Sequence, residues 1–300
     1  MSLRAHTLFV AVFALVAGAA GAQPFAHTYV SKLGSDANTC GSQIAPCRTI
    51  TAALGRTVDG GEISVLDATV SQPVLISQSV TIDGTGAGAG INVGAGSAGI
   101  KIAGGAADKV VLRNLSINGF GAGGFGIQVT GAGQVTVESC RISGVDVGIR
   151  FVLITTGRLY VTDTNITNVD TGIVVGSSTQ AVANLDNARI ENVGTTGVRA
   201  DTNASVTIFR STLSRGSGVG VMAFSSISRV DVLSSLVEYF EGTAIFVPFA
   251  GGVIRLSSSD IINNKTAIAF GAGAVVESDG NNRVAGFDFN TPPNATIALQ

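Results

Sequence analysis

Seven eight-residue segments of the chain superimpose without a gap, and their starts fall 23 to 25 residues apart. They read VVLRNLSI from Val110, VTVESCRI from Val135, LYVTDTNI from Leu159, ANLDNARI from Ala183, VTIFRSTL from Val206, VDVLSSLV from Val230 and IRLSSSDI from Ile254. Each is followed by a Gly- or Asn-rich turn and a second apolar piece: GIQV from Gly126, GIRF from Gly148, GIVV from Gly172, GVRA from Gly197, GVMA from Gly220, AIFV from Ala244 and AIAF from Ala267. Self-similarity at this period marks a repeat architecture, in which each unit stacks on the one before. Val, Ile and Leu alternate with Thr and Ser inside the segments, as half-buried strands require. Helical repeats need apolar spacing of three and four, leucine-rich repeats need a Leu/Asn framework, and neither recurs. The sequence therefore predicts a coil of parallel strands rising about 4.8 Å per turn, roughly nine or ten turns in a rod of about 45 Å.

Reading down the columns of this stack tests it. One column runs Leu115, Cys140, Thr164, Ala188, Ser211, Ser235 and Ser259, all modest in size, as an inward position at a tight corner demands. Cys140 is read there as a buried small residue, since no His follows His27 to activate a nucleophile. After the column Ile117, Ile142, Ile166 and Ile190 come Gly119, Gly144, Asn168 and Asn192, with Asn263 later; Gly and Asn tolerate a left-handed backbone and would turn the corner.

The ends of the chain differ from the repeats. Arg4, an apolar run from Leu8 to Ala17 and the small residues Ala20-Gly21-Ala22 read as a secretory leader over 1–22. Residues 23–60 read as an N-terminal cap. Within it Ile50, Leu54 and Val58 recur every four residues, predicting a short amphipathic helix that Gly60-Gly61 ends. Cys40 and Cys47 lie close together, and an exported chain would oxidise them to a disulfide contributing roughly 2.5 kcal/mol. A zinc site is the competing reading, but two cysteines without a nearby His supply too few ligands. The β-helix is expected over 61–290, and the tail 291–300 is expected to cover the open edge of the last coil.

The formal charge of −2 and the lack of a Lys/Arg run exclude a nucleic-acid or anionic-membrane partner. No membrane span is expected in the mature chain.

The stretch YVSKLGSDANTCGSQIAPCRTITAAL from Tyr29, followed by GGEISVLDATV and SVTIDGTGAGAGI, resembles exported bacterial β-helix-repeat proteins of largely unassigned role, within the right-handed parallel β-helix, pectate-lyase-like superfamily. The resemblance spans residues 28 to 290. It implies an all-β, right-handed solenoid with a short N-terminal capping helix, and it carries no catalytic residues over. The N-T-D, D-D and G-H-G motifs of polygalacturonase-like hydrolases have no D-D pair or second mature His to match. QAVANL from Gln180 and GFDFN from Gly286 lack most of the pectin methylesterase pattern, and the R-x-P-x-x-R stretch of pectate lyases is missing. GTGAGAG and GFGAGGFG lack the Lys-Ser/Thr and the strand-to-helix setting of a phosphate loop, and read as corners between coils.

Three surface features could still carry chemistry. The aligned phrases GVDVGIRF and NVDTGIVV place Asp146 beneath Asp170, roughly 5 Å away by strand spacing. Such a pair repels unless it splays into solvent, shares a proton or holds a cation; calcium is the cofactor it could recruit, with Asn168 or Asp163 as further ligands. A lyase could combine these acids with Arg150 or Arg199, which face outward on the second strand. Asp231 and Arg255 share a column and read as a surface ion pair worth under about 1 kcal/mol. An apolar stripe is the third feature: Phe209 with Leu233, and Val174 with Met222 and Phe246, near Pro248 and Phe249. The function expected is an exported module, secreted, periplasmic or on the cell surface, that binds polysaccharide or a surface protein. The alternative is a polysaccharide lyase or glycoside hydrolase with an atypical acidic site.

Overall fold

Alternation of apolar and polar residues puts Val137, Val161, Leu185, Ile208, Val232 and Leu256 on one inward line, each at most 1% exposed. Burying each such side chain is worth about 1.5–3 kcal/mol, which is why the register cannot slip by one residue. The computed structural model of the chain describes residues 24–68, 70–71, 73–84 and 89–297. The expected leader at 1–22 and part of the GTGAGAG stretch lie outside them.

The strands of the described residues pair in parallel, with the register read from the repeats: Val135 lies against Leu159, Leu159 against Ala183, Ala183 against Val206, Val206 against Val230, and Val230 against Ile254. The chain is an all-β parallel solenoid of about nine turns, with one short helix among the described residues. A typical coil has three faces. The first is a twelve-stranded sheet among the described residues, containing for example Gly157–Thr162. The second sheet bends to form the second and third faces, and Asn165–Ser177 and Arg189–Ala200 run through the bend unbroken.

Two corners are turned by single left-handed residues. Between the first and second faces these are Asn114, Ser139, Asp163, Asn187, Arg210, Ser234 and Ser258, with φ between 46° and 54°. The next residue in each coil belongs to the small column, and its function is hydrogen bonding as much as size. The Thr164 Oγ1 accepts the Cys140 N–H at 3.3 Å, Ser211 Oγ that of Ala188 at 3.0 Å, Ser235 Oγ that of Ser211 at 3.1 Å and Ser259 Oγ that of Ser235 at 3.2 Å. Each hydroxyl donates to the carbonyl two residues earlier in its own coil, at 2.7–2.9 Å. Asn282 takes over at the C-terminal end by accepting the Ser259 N–H at 2.9 Å. Cys140, buried with its thiol against the Glu138 carbonyl, fits the same ladder; burial pushes the thiol up to about 11. Ala188, lying between Thr164 and Ser211, interrupts the run of hydroxyls.

The corner between the second and third faces is left-handed at Gly144, Asn168, Asn192, Arg215, Tyr239, Asn263 and Gly286, with φ between 54° and 66°. Gly119 departs from expectation. The positive φ in its coil falls on Phe120 and Gly121, and Gly119 is small because a Cβ there would lie 2.3 Å from the Gly144 carbonyl oxygen. Close approach likewise explains the Gly that opens the second phrase: a Cβ on Gly172 would lie 2.4 Å from the Gly197 oxygen.

At the N-terminus the strand Phe25–Val30 already forms a rung, paired with Thr57–Val65, so coiling starts before the cap segment. Cys40 and Cys47 form a disulfide and are fully buried. The helix is Ile50–Leu54, with Thr49 Oγ1 accepting the Ala52 N–H at 3.1 Å. It stops at Gly55; the four-residue spacing to Val58 misled, because Val58, Gly60 and Gly61 belong to the following strand. At the other end Ala295–Thr296 pairs with Val275–Ser278, and Asn294 Oδ1 accepts the Val276 N–H at 2.8 Å, so the tail begins another coil.

Candidate functional site

The corner between the second and third faces projects its side chains outward, and successive coils line them up along the axis. Asp146 and Asp170 precede the paired residues Val147 and Thr171, so they sit on adjacent coils as the repeated phrase requires. Both are exposed. They line one open groove of about 610 Å³ with Gly123, Asn168, Asn192 and Ser217. Asp146 Oδ2 accepts the Gly124 N–H at 2.9 Å, its carbonyl accepts the Thr171 N–H at 2.8 Å, and the Asp170 carbonyl accepts the Thr195 hydroxyl at 2.8 Å. The Asp170 carboxylate makes no hydrogen bond to the described residues.

This donor set does not fit calcium, which takes six or more oxygens. One Asp146 oxygen holds Gly124, and the Asn168 amide oxygen accepts from Asn192 at 3.3 Å. Asp163 belongs to the other corner, where the Asn187 amide donates to it at 2.6 Å. Among the described residues no three or more His, Cys, Asp or Glu gather as metal ligands.

The arginines proposed to act beside the acids are held elsewhere. Arg150 and Arg199 lie level with Val174 on its two sides. Val174 is four residues along an extended strand from Asp170, about 13 Å. Arg199 makes a bidentate pair with Asp201, 2.8 Å on each arm, and its guanidinium sits 5.1 Å from the Phe224 ring centroid. Arg150 lies 5.8 Å from the Phe125 centroid. The structure brings the two acids together and leaves both arginines out of their groove.

The apolar stripe is corrected in part. Met222 and Phe246 continue the Arg199 column and are half-buried. Val174 is only 6% exposed: it lies between the two arginines, whose aliphatic stems can cover a small neighbour. Phe249 is exposed and packs edge to face on Phe224 at 5.3 Å, a partner with no place in the repeat pattern because it lies in a loop. Asp231 and Arg255 are adjacent, yet Arg255 pairs with Glu277 on the following coil. Asp231 keeps a buried Oδ1 without a partner, and burial raises its carboxyl against the opposing pull of Arg255 and Arg229.

Beyond Ser217 the groove runs on into a second hollow of about 520 Å³ around Arg215, Glu238, Tyr239 and Glu241. Arg215 is fixed by Glu191 at 2.7 Å, which also pairs with Arg189. Sequence reading passed over Arg215 and Tyr239 because they stand where Gly or Asn marks the other corners.

The sequence matches the model of the right handed beta helix region over residues 60–205 and 151–289. The chain belongs to that family, and the solenoid is right-handed. Similar solved structures are pectate lyase Pel9A, with 14% identity, 92% of this chain and 79% of that one covered and a TM-score of 0.56; a GH136 lacto-N-biosidase from Eubacterium ramulus, with 12% identity, 91% and 68% covered and a TM-score of 0.54; and a rhamnogalacturonan lyase, with 11% identity, 87% of each chain covered and a TM-score of 0.51. At these identities the likeness is one of fold. Among curated proteins none matches by sequence. No helix of the described residues is long and apolar enough to cross a membrane.

Proposed function

We propose that the protein is an exported module that binds polysaccharide along the third face and the corner groove beside it. The observation that carries this reading is the shape and chemistry of the groove. It is open, follows the axis over successive coils, and presents the Asp146 and Asp170 carboxylates, the Asn168 and Asn192 amides and the Ser217 hydroxyl. Small-molecule sites are enclosed and mostly apolar, whereas a long polar furrow suits a polymer. Met222, Phe246 and the exposed Phe249 supply apolar surface on the same face for sugar rings. The Cys40–Cys47 disulfide supports an oxidising, extracytoplasmic destination.

The test is affinity electrophoresis of residues 23–300 through a panel of neutral and uronate-containing polysaccharides. At least one should retard the protein, and Asp146→Asn with Asp170→Asn, or Phe246→Ser, should reduce retardation severalfold with the fold intact. Free migration through every gel, or retardation unchanged in all variants, would overturn the reading.

Polysaccharide cleavage is a second reading, favoured by one observation: Asp146 and Asp170 stand on adjacent coils, their backbones about 5 Å apart by strand spacing, so that two acids line one groove, as in glycosidases. It predicts new reducing ends or unsaturated products from the same panel, lost in the Asp146→Asn/Asp170→Asn variant. Absence of both products, with and without calcium, removes it.

A further inference from the structure

The corner between the third and first faces carries a different hollow, about 510 Å³, lined among others by Thr179, Gln180, Asn203, Ser205, Ile227 and Arg229. We propose that it is an anion site, in which Arg229, Ser205 and Gln180 receive a carboxylate or sulfate group carried on the bound saccharide. The proposal rests on the polysaccharide reading for its ligand and on separate residues for its chemistry.

Arg229 and Ser205 are register partners on adjacent coils, so their side chains leave the sheet side by side, about 4.8 Å apart at the backbone. Six other arginines are committed to acids: Arg113 to Glu138, Arg189 and Arg215 to Glu191, Arg199 to Asp201, Arg210 to Asp186 and Arg255 to Glu277. Arg229 is exposed, and among the described residues its guanidinium makes no salt bridge and no hydrogen bond, although it pulls on the half-buried Asp231 carboxyl two residues along. The Ser205 hydroxyl and the Gln180 amide are likewise without partners among them. Three donors thus converge on one hollow with nothing to donate to. The groups around them are already satisfied: the Thr179 hydroxyl contacts those of Thr156 and Ser177, and the Asn203 amide donates to the Ser177 and Ser178 carbonyls at 3.2 and 3.1 Å. Those bonds brace the floor and leave the free donors to a ligand.

Two features select the ligand class. A guanidinium fork matches the paired oxygens of a carboxylate or sulfate, and this geometry makes the hydrogen bonds charge-assisted. No carboxylate lines the hollow; Asp231, two residues beyond Arg229, stands outside it with one oxygen sealed. The opposite corner, lined by Asp146 and Asp170, offers acceptors for the hydroxyls of the same saccharide, so the two edges of the third face differ in charge preference. The loops that form the hollow also carry Phe224 and Phe249, apolar surface for a sugar ring beside the anionic group.

Titration calorimetry at low salt with matched oligogalacturonate, sulfated and neutral oligosaccharides tests this. An anionic oligosaccharide should bind the wild-type protein more tightly than the neutral one. Arg229→Gln should weaken that binding by about tenfold or more and leave the neutral oligosaccharide unaffected. Arg229→Lys, which keeps the charge without the fork, should fall between. Whichever oligosaccharide loses affinity identifies the group. Where a saccharide binds, equal binding by Arg229→Gln and wild type, or no preference for either anion, overturns the site. A parallel titration with inorganic sulfate follows the Arg229 Nε–H resonance. A saturable shift without binding of any saccharide keeps the anion site and removes the polysaccharide reading, whereas no shift and no anionic preference removes the site itself.

Discussion

Ser235 and Ala188 occupy the same rung position on different coils, and the structure predicts opposite outcomes for exchanging their side chains. Ser235 is 5% exposed; its Oγ accepts the Ser211 N–H at 3.1 Å and donates to the Leu233 carbonyl at 2.7 Å. Ser235→Ala removes one small group and strands the N–H of Ser211, itself only 2% exposed. Leaving a buried donor unsatisfied costs about 1–3 kcal/mol. Ala188→Ser does the reverse, placing a hydroxyl where the Thr164 N–H has no side-chain acceptor from the next coil and where the Asp186 carbonyl stands in the two-residues-back position. A completed buried hydrogen bond is worth about 0.5–1.5 kcal/mol, so this variant should gain stability. Guanidinium unfolding followed by far-UV circular dichroism reads both, with Ser226→Ala, at an exposed loop serine, as the neutral control. In a chain of this size each kcal/mol corresponds to about 2–4 °C of melting temperature. The reasoning is refuted if Ser235→Ala falls within about 0.5 kcal/mol of wild type, the range of ordinary surface changes, or if Ala188→Ser destabilises.

Other perturbations follow from the same geometry. Cys140→Ser should be close to neutral, because serine can reproduce both ladder contacts; in the wild type the buried thiol, raised to about 11, should resist alkylation at pH 8 until the protein is unfolded, as mass spectrometry would show. Asp231 is raised above its ordinary 3.8 by burial, so the folded state holds its proton more tightly than the unfolded chain does. Stability from this group is therefore full below the ordinary value and is lost as pH rises through the raised one; Asp231→Asn should stabilise at pH 7, and the gain should vanish in melting curves below pH 3.8. Gly172→Ala drives a Cβ to 2.4 Å from the Gly197 oxygen and should cost at least about 1–3 kcal/mol by chemical denaturation, although Ala244 and Ala267 hold the equivalent position on later coils.

What the sequence made legible is what repeats. The register from Val135 to Ile254, the pairing of Asp146 with Asp170 by level, and the inward small column all follow from a period that the core enforces. The left-handed corner after the first face was not legible, because Ser139, Arg210 and Ser234 are not residues that announce a positive φ; the neighbouring hydroxyl ladder helps to hold them there. Side-chain commitments on the outer faces were also hidden. Arg255 has Asp231 on one side and Glu277 on the other, at the same strand spacing, and nothing in the column says which it takes. Val174 reads as exposed by position but sits between two long arginine stems. Phe224, Gln180 and Arg229 gain meaning only when loops and coils far apart in sequence are brought to one edge.

The central claim is that a polysaccharide lies along the third face and its corner groove. Hydrogen-exchange mass spectrometry of residues 23–300, with and without the polysaccharide that binds best, tests it most directly. The account predicts slowed exchange in peptides covering 121–124, 144–147, 168–171 and 192–196, at successive coils along one line, with the centre of the first face unchanged. Protection confined to the first face or to the ends of the solenoid, or no protection with any polysaccharide, would contradict it.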